Sequence, residues 1–111
     1  MDKFHRYTFT LDLKDDPEVA AQYEAHHKNV WPDVEQSFKE AGIIRMEIYR
    51  FEYRLFMVMD VTEEFSFERK EWIDNHSEKV QEWESLMSTF QKPLKKGEKW
   101  VLMDCIYQFC S

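Results

Sequence analysis

Ile43-Ile44-Arg45-Met46-Glu47-Ile48-Tyr49-Arg50-Phe51, then Glu52-Tyr53-Arg54, then Leu55-Phe56-Met57-Val58-Met59-Asp60-Val61, is the stretch that decides the fold. Both outer runs are rich in β-branched and aromatic residues, and a short link separates them. That pattern predicts two strands paired as an antiparallel hairpin. The second run is apolar on both faces. One face can take helices, so the other face also needs a cover.

Upstream, Pro32 opens a helical piece with Val34, Phe38 and Ala41 facing inward, and Gly42 is placed to close it as a left-handed cap. Before it, Asp15-Asp16-Pro17-Glu18 reads as a helix start: an Asp cap, proline in the first turn, then an acid. That helix is predicted to run to about Lys28, with Val19, Tyr23, His26 or His27, and Val30 turned inward. Phe4 to Leu13 alternates with period two and reads as a strand. Downstream, Thr62 to His76 holds a helix with Phe65, Trp72 and Ile73, and its charges Glu68, Arg69, Lys70 and Glu71 form a solvated face. Ser77 caps a further helix whose Val80, Trp83, Met87 and Phe90 make one apolar stripe. Gln91 to Gly97 reads as a loop, and Glu98 to Cys110 as a last alternating strand.

The predicted order is strand, helices, strand, strand, helices, strand. It is the split β-α-β plan of the ferredoxin-like fold: α+β, a four-stranded antiparallel sheet with helices on one face, in a single domain over residues 1–111. The simplest cover for the open sheet face is the same face of a second copy, so a two-fold homodimer is expected.

Composition narrows the function classes. The formal net charge is −7, which argues against nucleic acid and against an anionic membrane surface as partner. No run of consecutive apolar residues is long enough to span a membrane. Met1-Asp2-Lys3-Phe4-His5-Arg6 lacks the apolar core of a signal peptide. Cys105 and Cys110 have no metal or redox spacing, and a strand would hold them too far apart for a disulfide. Free thiols point to a reducing compartment, hence a cytoplasmic protein.

With only two glycines, Gly42 and Gly97, there is no glycine-rich phosphate loop. The histidines show no metal-ligand spacing, so no metal and no cofactor is expected. What remains is Tyr23-Glu24-Ala25-His26-His27-Lys28-Asn29-Val30-Trp31-Pro32. Read as helix, it lines up Tyr23, His27 and Trp31 at i, i+4 and i+8, with Pro32 forcing a break after them. Histidine exchanges a proton near neutral pH, and a tyrosine one turn away can orient it or a substrate hydroxyl. Spacing alone favours an ordinary half-buried Tyr–His pair over a catalytic one. A tryptophan on an apolar stripe, such as Trp83, is ordinarily core, although tryptophan faces also stack on sugar rings. Trp72 and Trp100 are assigned to packing.

Tyr23-x-x-x-His27-x-x-x-Trp31-Pro32 resembles the L-rhamnose mutarotase family, and the resemblance runs from Arg6 to Phe109. Ala41-Gly42-Ile43, Met46-Glu47-Ile48-Tyr49, Leu55-Phe56-Met57 and Val80-Gln81-Glu82-Trp83 add to it. The resemblance implies a dimeric α+β barrel that interconverts the anomers of L-rhamnose without cofactor, with L-fucose, a related 6-deoxy-L-hexose, as the competing substrate. It implies His27 as proton donor and Tyr23 and Trp83 as sugar-binding residues; Trp31 is a substrate-binding candidate on its own account, as a tryptophan face that can stack on a sugar ring. Two positions depart from the family pattern. Met46 stands where a sugar-binding tyrosine is expected, and Glu84 where a second tryptophan is expected. Both lie in the substrate shell, so they bear on which sugar is taken. A cofactor-free oxygenase or a small-ligand-binding protein of the same fold is the rival class.

Overall fold

The computed structural model describes residues 4–95 and 97–111. Met1 to Lys3 of the leader reading, and Lys96 of the loop reading, lie outside the described residues. The elements run β1 (Phe4–Leu13), α1 (Pro17–His27), α2 (Pro32–Ala41), β2 (Ile43–Phe51), β3 (Arg54–Thr62), α3 (Phe67–Asn75), α4 (Glu78–Ser88), β4 (Gln91–Lys92) and β5 (Val101–Met103).

The sheet is antiparallel in the order β2-β3-β1, and β4 and β5 share the far edge of β1. β5 pairs with Thr8–Thr10 and β4 with Asp12–Leu13. The fold class is therefore ferredoxin-like α+β, as the element order predicts. The last strand differs from expectation. Instead of one strand over Glu98–Cys110 after a loop, two short strands divide the edge of β1. Gln91–Lys92 is already strand, and residues 104–111 carry no regular structure. Alternation marks these residues as capable of a strand, but a strand needs a neighbour. Among the described residues none runs beside the segment after Met103, and Ile106 is left 96% exposed.

Register sorts the side chains. Phe9 faces Met57 and Leu11 faces Leu55, while Met46 and Ile48 of β2 oppose Met59 and Met57. Together with Leu13 and Val61 they form the inner face, under the helices, and most are buried. The outer face is apolar in the middle and charged at the ends. Thr8 opposes Val58 and Thr10 opposes Phe56, whereas cross-strand ion pairs Arg6–Asp60 and Arg54–Asp12, each 2.7 Å, close the two ends. Tyr49 and Phe51 stand exposed on the same outer face.

The helix ends follow the predicted chemistry. Asp16 and Ser77 cap α1 and α4 through their side-chain oxygens, and Ser66 caps α3. Gly42 has φ +94°, and a Cβ there would meet Thr62 Oγ1 at 2.6 Å. Val80, Trp83, Met87 and Phe90 are all buried. Trp72 is not: it is exposed and stacks on His76, with ring centroids 4.0 Å apart. Near the end of a helix whose inward stripe is only Ile73 and Asp74, the indole is left on the outer side.

Candidate active site

A cavity of about 1050 Å³ lies between the helices and the inner sheet face. Tyr23, His27, Met46, Trp83, Glu84 and Gln91 all line it. Five of the six residues singled out by sequence are thus brought together. The sixth, Trp31, is not among the lining residues. α1 ends at His27, so the helical spacing that would align Trp31 with Tyr23 and His27 stops one turn short. Trp31 instead sits at the start of α2, with its ring edge-on to Trp83 at 5.3 Å and Lys79 Nζ 6.0 Å above it. Pro32 is the cause, because it pushes the preceding residue out of the helical region. Trp31 backs the wall that Trp83 presents. Trp100, assigned to packing, is half-buried and lines the cavity as well.

Tyr23 and His27 stack one turn apart, with centroids 4.4 Å apart. Tyr23 is 4% exposed. His27 Nδ1 lies 2.8 Å from the Tyr23 carbonyl oxygen. A carbonyl only accepts, so Nδ1 carries a hydrogen and donates it, leaving Nε2 as the nitrogen free for proton exchange. Burial holds the His27 pKa below the usual histidine value, opposed by the carbonyl contact and assisted by neighbouring His26. The imidazole is therefore neutral at neutral pH. Burial pushes the Tyr23 phenol up to about 12, with Gln91 acting in the opposite sense. The phenol stays protonated and acts as a donor. His26 turns elsewhere and packs on Phe90 at 5.5 Å.

Two lining residues escape sequence reasoning. Gln91 is 6% exposed and Asp74 is 7% exposed. Asp74 Oδ2 takes Lys70 Nζ, whereas Asp74 Oδ1 and Gln91 Oε1 are buried without a partner among the described residues. A polar residue in a loop-like stretch (Gln91) or a charged helix turn (Asp74) reads as solvated, and only the tertiary fold turns it inward. Among the described residues, no cluster of three or more His, Cys, Asp or Glu could hold a metal ion.

The L-rhamnose mutarotase family profile matches residues 6–109. The chain belongs to the L-rhamnose mutarotase family. It resembles the L-fucose mutarotase of Xanthomonas campestris pv. campestris, with 43% identity over 100 residues, 86% of this chain and 80% of the relative. A Dictyostelium discoideum protein of the UPF0734 group is 32% identical over 94% of this chain and 89% of its own length. Among solved structures, the L-rhamnose mutarotase of Formosa agariphila matches with a TM-score of 0.70 at 17% identity, covering 95% of this chain and 98% of that one. The tetracenomycin F2 cyclase of Streptomyces glaucescens matches almost as well, with a TM-score of 0.65 at 18% identity over 96% and 98%. At such identities the likeness is one of fold, and the fold hosts different reactions. The family match separates them: this mutarotase-family chain is a sugar anomer-interconverting isomerase.

Proposed function

We propose that the chain interconverts the α and β anomers of a 6-deoxy-L-hexose, L-fucose or L-rhamnose, inside the cavity. The observation that carries this is the Tyr23–His27 pair on the cavity wall, with one ring nitrogen anchored and the other free. Mutarotation removes a proton from the anomeric hydroxyl, breaks the bond between C1 and the ring oxygen, and places a proton on that oxygen. The aldehyde then turns and recloses on its other face. Neutral His27 takes the anomeric proton at Nε2 and passes it, as imidazolium, to the departing ring oxygen, which is the donor role the family resemblance implies. On closure it takes that proton back from the C5 hydroxyl and returns it to the carbonyl oxygen. Tyr23, protonated throughout, hydrogen-bonds the departing ring oxygen. Trp83 supplies an apolar wall for the ring and its methyl group, with Trp31 behind it, and Met46 and Glu84 complete the substrate shell.

Saturation-transfer NMR on L-fucose and L-rhamnose tests this directly. Anomer exchange faster than the buffer rate, unchanged by prior dialysis against chelator, is expected. Equal rates with and without protein for both sugars and their close epimers would refute the assignment. The rival oxygenase or binding-protein class is not favoured by the family match.

We further infer a homodimer through the outer sheet face. Its support is the half-buried Phe56 and Val58 flanked by exposed Tyr49 and Phe51, a patch a second copy would cover. A cytoplasmic location is inferred with it, supported by the free thiols of Cys105 and Cys110. No helix among the described residues is long and apolar enough to cross a membrane.

A further inference from the structure

Gln91 is placed by register. It pairs with Leu13 across β1 and β4, and residues directly opposite share a face. Leu13 is fully buried on the inner face. The next residue, Lys92, pairs with Asp12 and goes to the outer side. A neutral amide is thereby carried into the interior, where it lines the cavity. Among the described residues its Oε1 has no hydrogen-bond partner. A buried acceptor left unmet is costly, and natural interiors rarely keep one without a reason. The backbone pairing of β4 does not need this side chain, since any residue supplies the same N–H and C=O. The amide lies beside Tyr23, which stacks on His27.

We propose that Gln91 is a substrate-positioning residue, its Oε1 accepting a hydrogen bond from a secondary ring hydroxyl of the sugar. The proposal rests on the mutarotase reading of this cavity. It assigns Gln91 a part in choosing among sugars that differ only in hydroxyl position, and no part in proton transfer.

The experiment is anomer-exchange NMR on wild type, Gln91→Met and Gln91→Glu. The substrates are L-fucose, L-rhamnose and their analogues lacking one ring hydroxyl at C2, C3 or C4. Wild type is expected to lose about ten- to hundredfold in kcat/KM for one deoxy position, the range for an unmet buried acceptor. Gln91→Met should lose the same factor on the parent sugar, mostly in KM, and no longer distinguish the parent from that analogue. Gln91→Glu, which keeps an acceptor, should restore the distinction. If Gln91→Met keeps the wild-type profile, water alone meets Oε1 and the proposal fails. If it lowers every sugar by one factor together with the melting temperature, the amide is only structural and the proposal fails. Absence of exchange by wild type on every sugar is a separate result, which overturns the mutarotase reading and this proposal together.

Discussion

His27 is the residue on which most depends. His27→Asn keeps a polar side chain of smaller size, and the exchange rate should fall about 10²–10⁴-fold, the range for a lost acid–base group. His26→Asn is the control, because His26 packs on Phe90 and does not line the cavity; its rate should match wild type. Equal rates for wild type and His27→Asn, at matched folded concentration, would place the chemistry elsewhere. The pH dependence has a definite sign. His27 has a folded pKa below its ordinary value, and the neutral form is the one that accepts the anomeric proton. The rate should therefore rise with pH through a midpoint below 6.5 and level off at neutrality. A rate that falls across that interval would make His27 the initial acid instead. Stability follows the same linkage. The unfolded state binds more protons near the ordinary histidine pKa, so His27 favours the fold above that value, and the benefit is lost as pH falls through the folded pKa. Thermal melts of His27→Asn should thus change less than wild type between neutral and mildly acid pH. The Tyr23–His27 spacing was legible because one helix turn joins them. Gln91 was not, because nothing local distinguishes an inward amide from a solvated one.

The helix ends, the hairpin and the α4 stripe were legible, since each rests on local chemistry: a side-chain cap, a glycine, a period. Gly42 shows how firm such a signal is. At φ +94°, with Thr62 Oγ1 at 2.6 Å from a would-be Cβ, Gly42→Ala should cost about 1–3 kcal/mol from backbone strain, before any clash. A thermal melt checks it, and an unchanged melting temperature would mean that the α2–β2 corner has room to relax. Two elements were misread for one shared reason. The helical period runs on past the end of α1 to Trp31, and the strand alternation runs on past β5 to Cys110, so periodicity continues where the element does not. Proline stops the first, and lack of a strand neighbour stops the second.

For the whole molecule, the ferredoxin-like order was legible from element sequence alone, and the cavity was not, since its lining is drawn from all four helices and from β1, β2 and β3 together. Assembly is testable at this scale. Phe56→Asp, on the outer face, should leave the fold intact and convert a dimer to monomers by light scattering at micromolar protein. Wild type that is already monomeric there would remove the dimer from the account. The place of β1 has a consequence for biosynthesis. Phe9 takes Met57 on one side and Leu102 on the other, so the central strand is made well before either neighbour. Closing such long loops is slow, and an unpaired apolar strand is prone to wrong partners meanwhile. Folding of this domain should therefore be timed by the arrival of β3 and of the short β5 segment, because helices of 9 to 11 residues are marginal without a sheet to pack on.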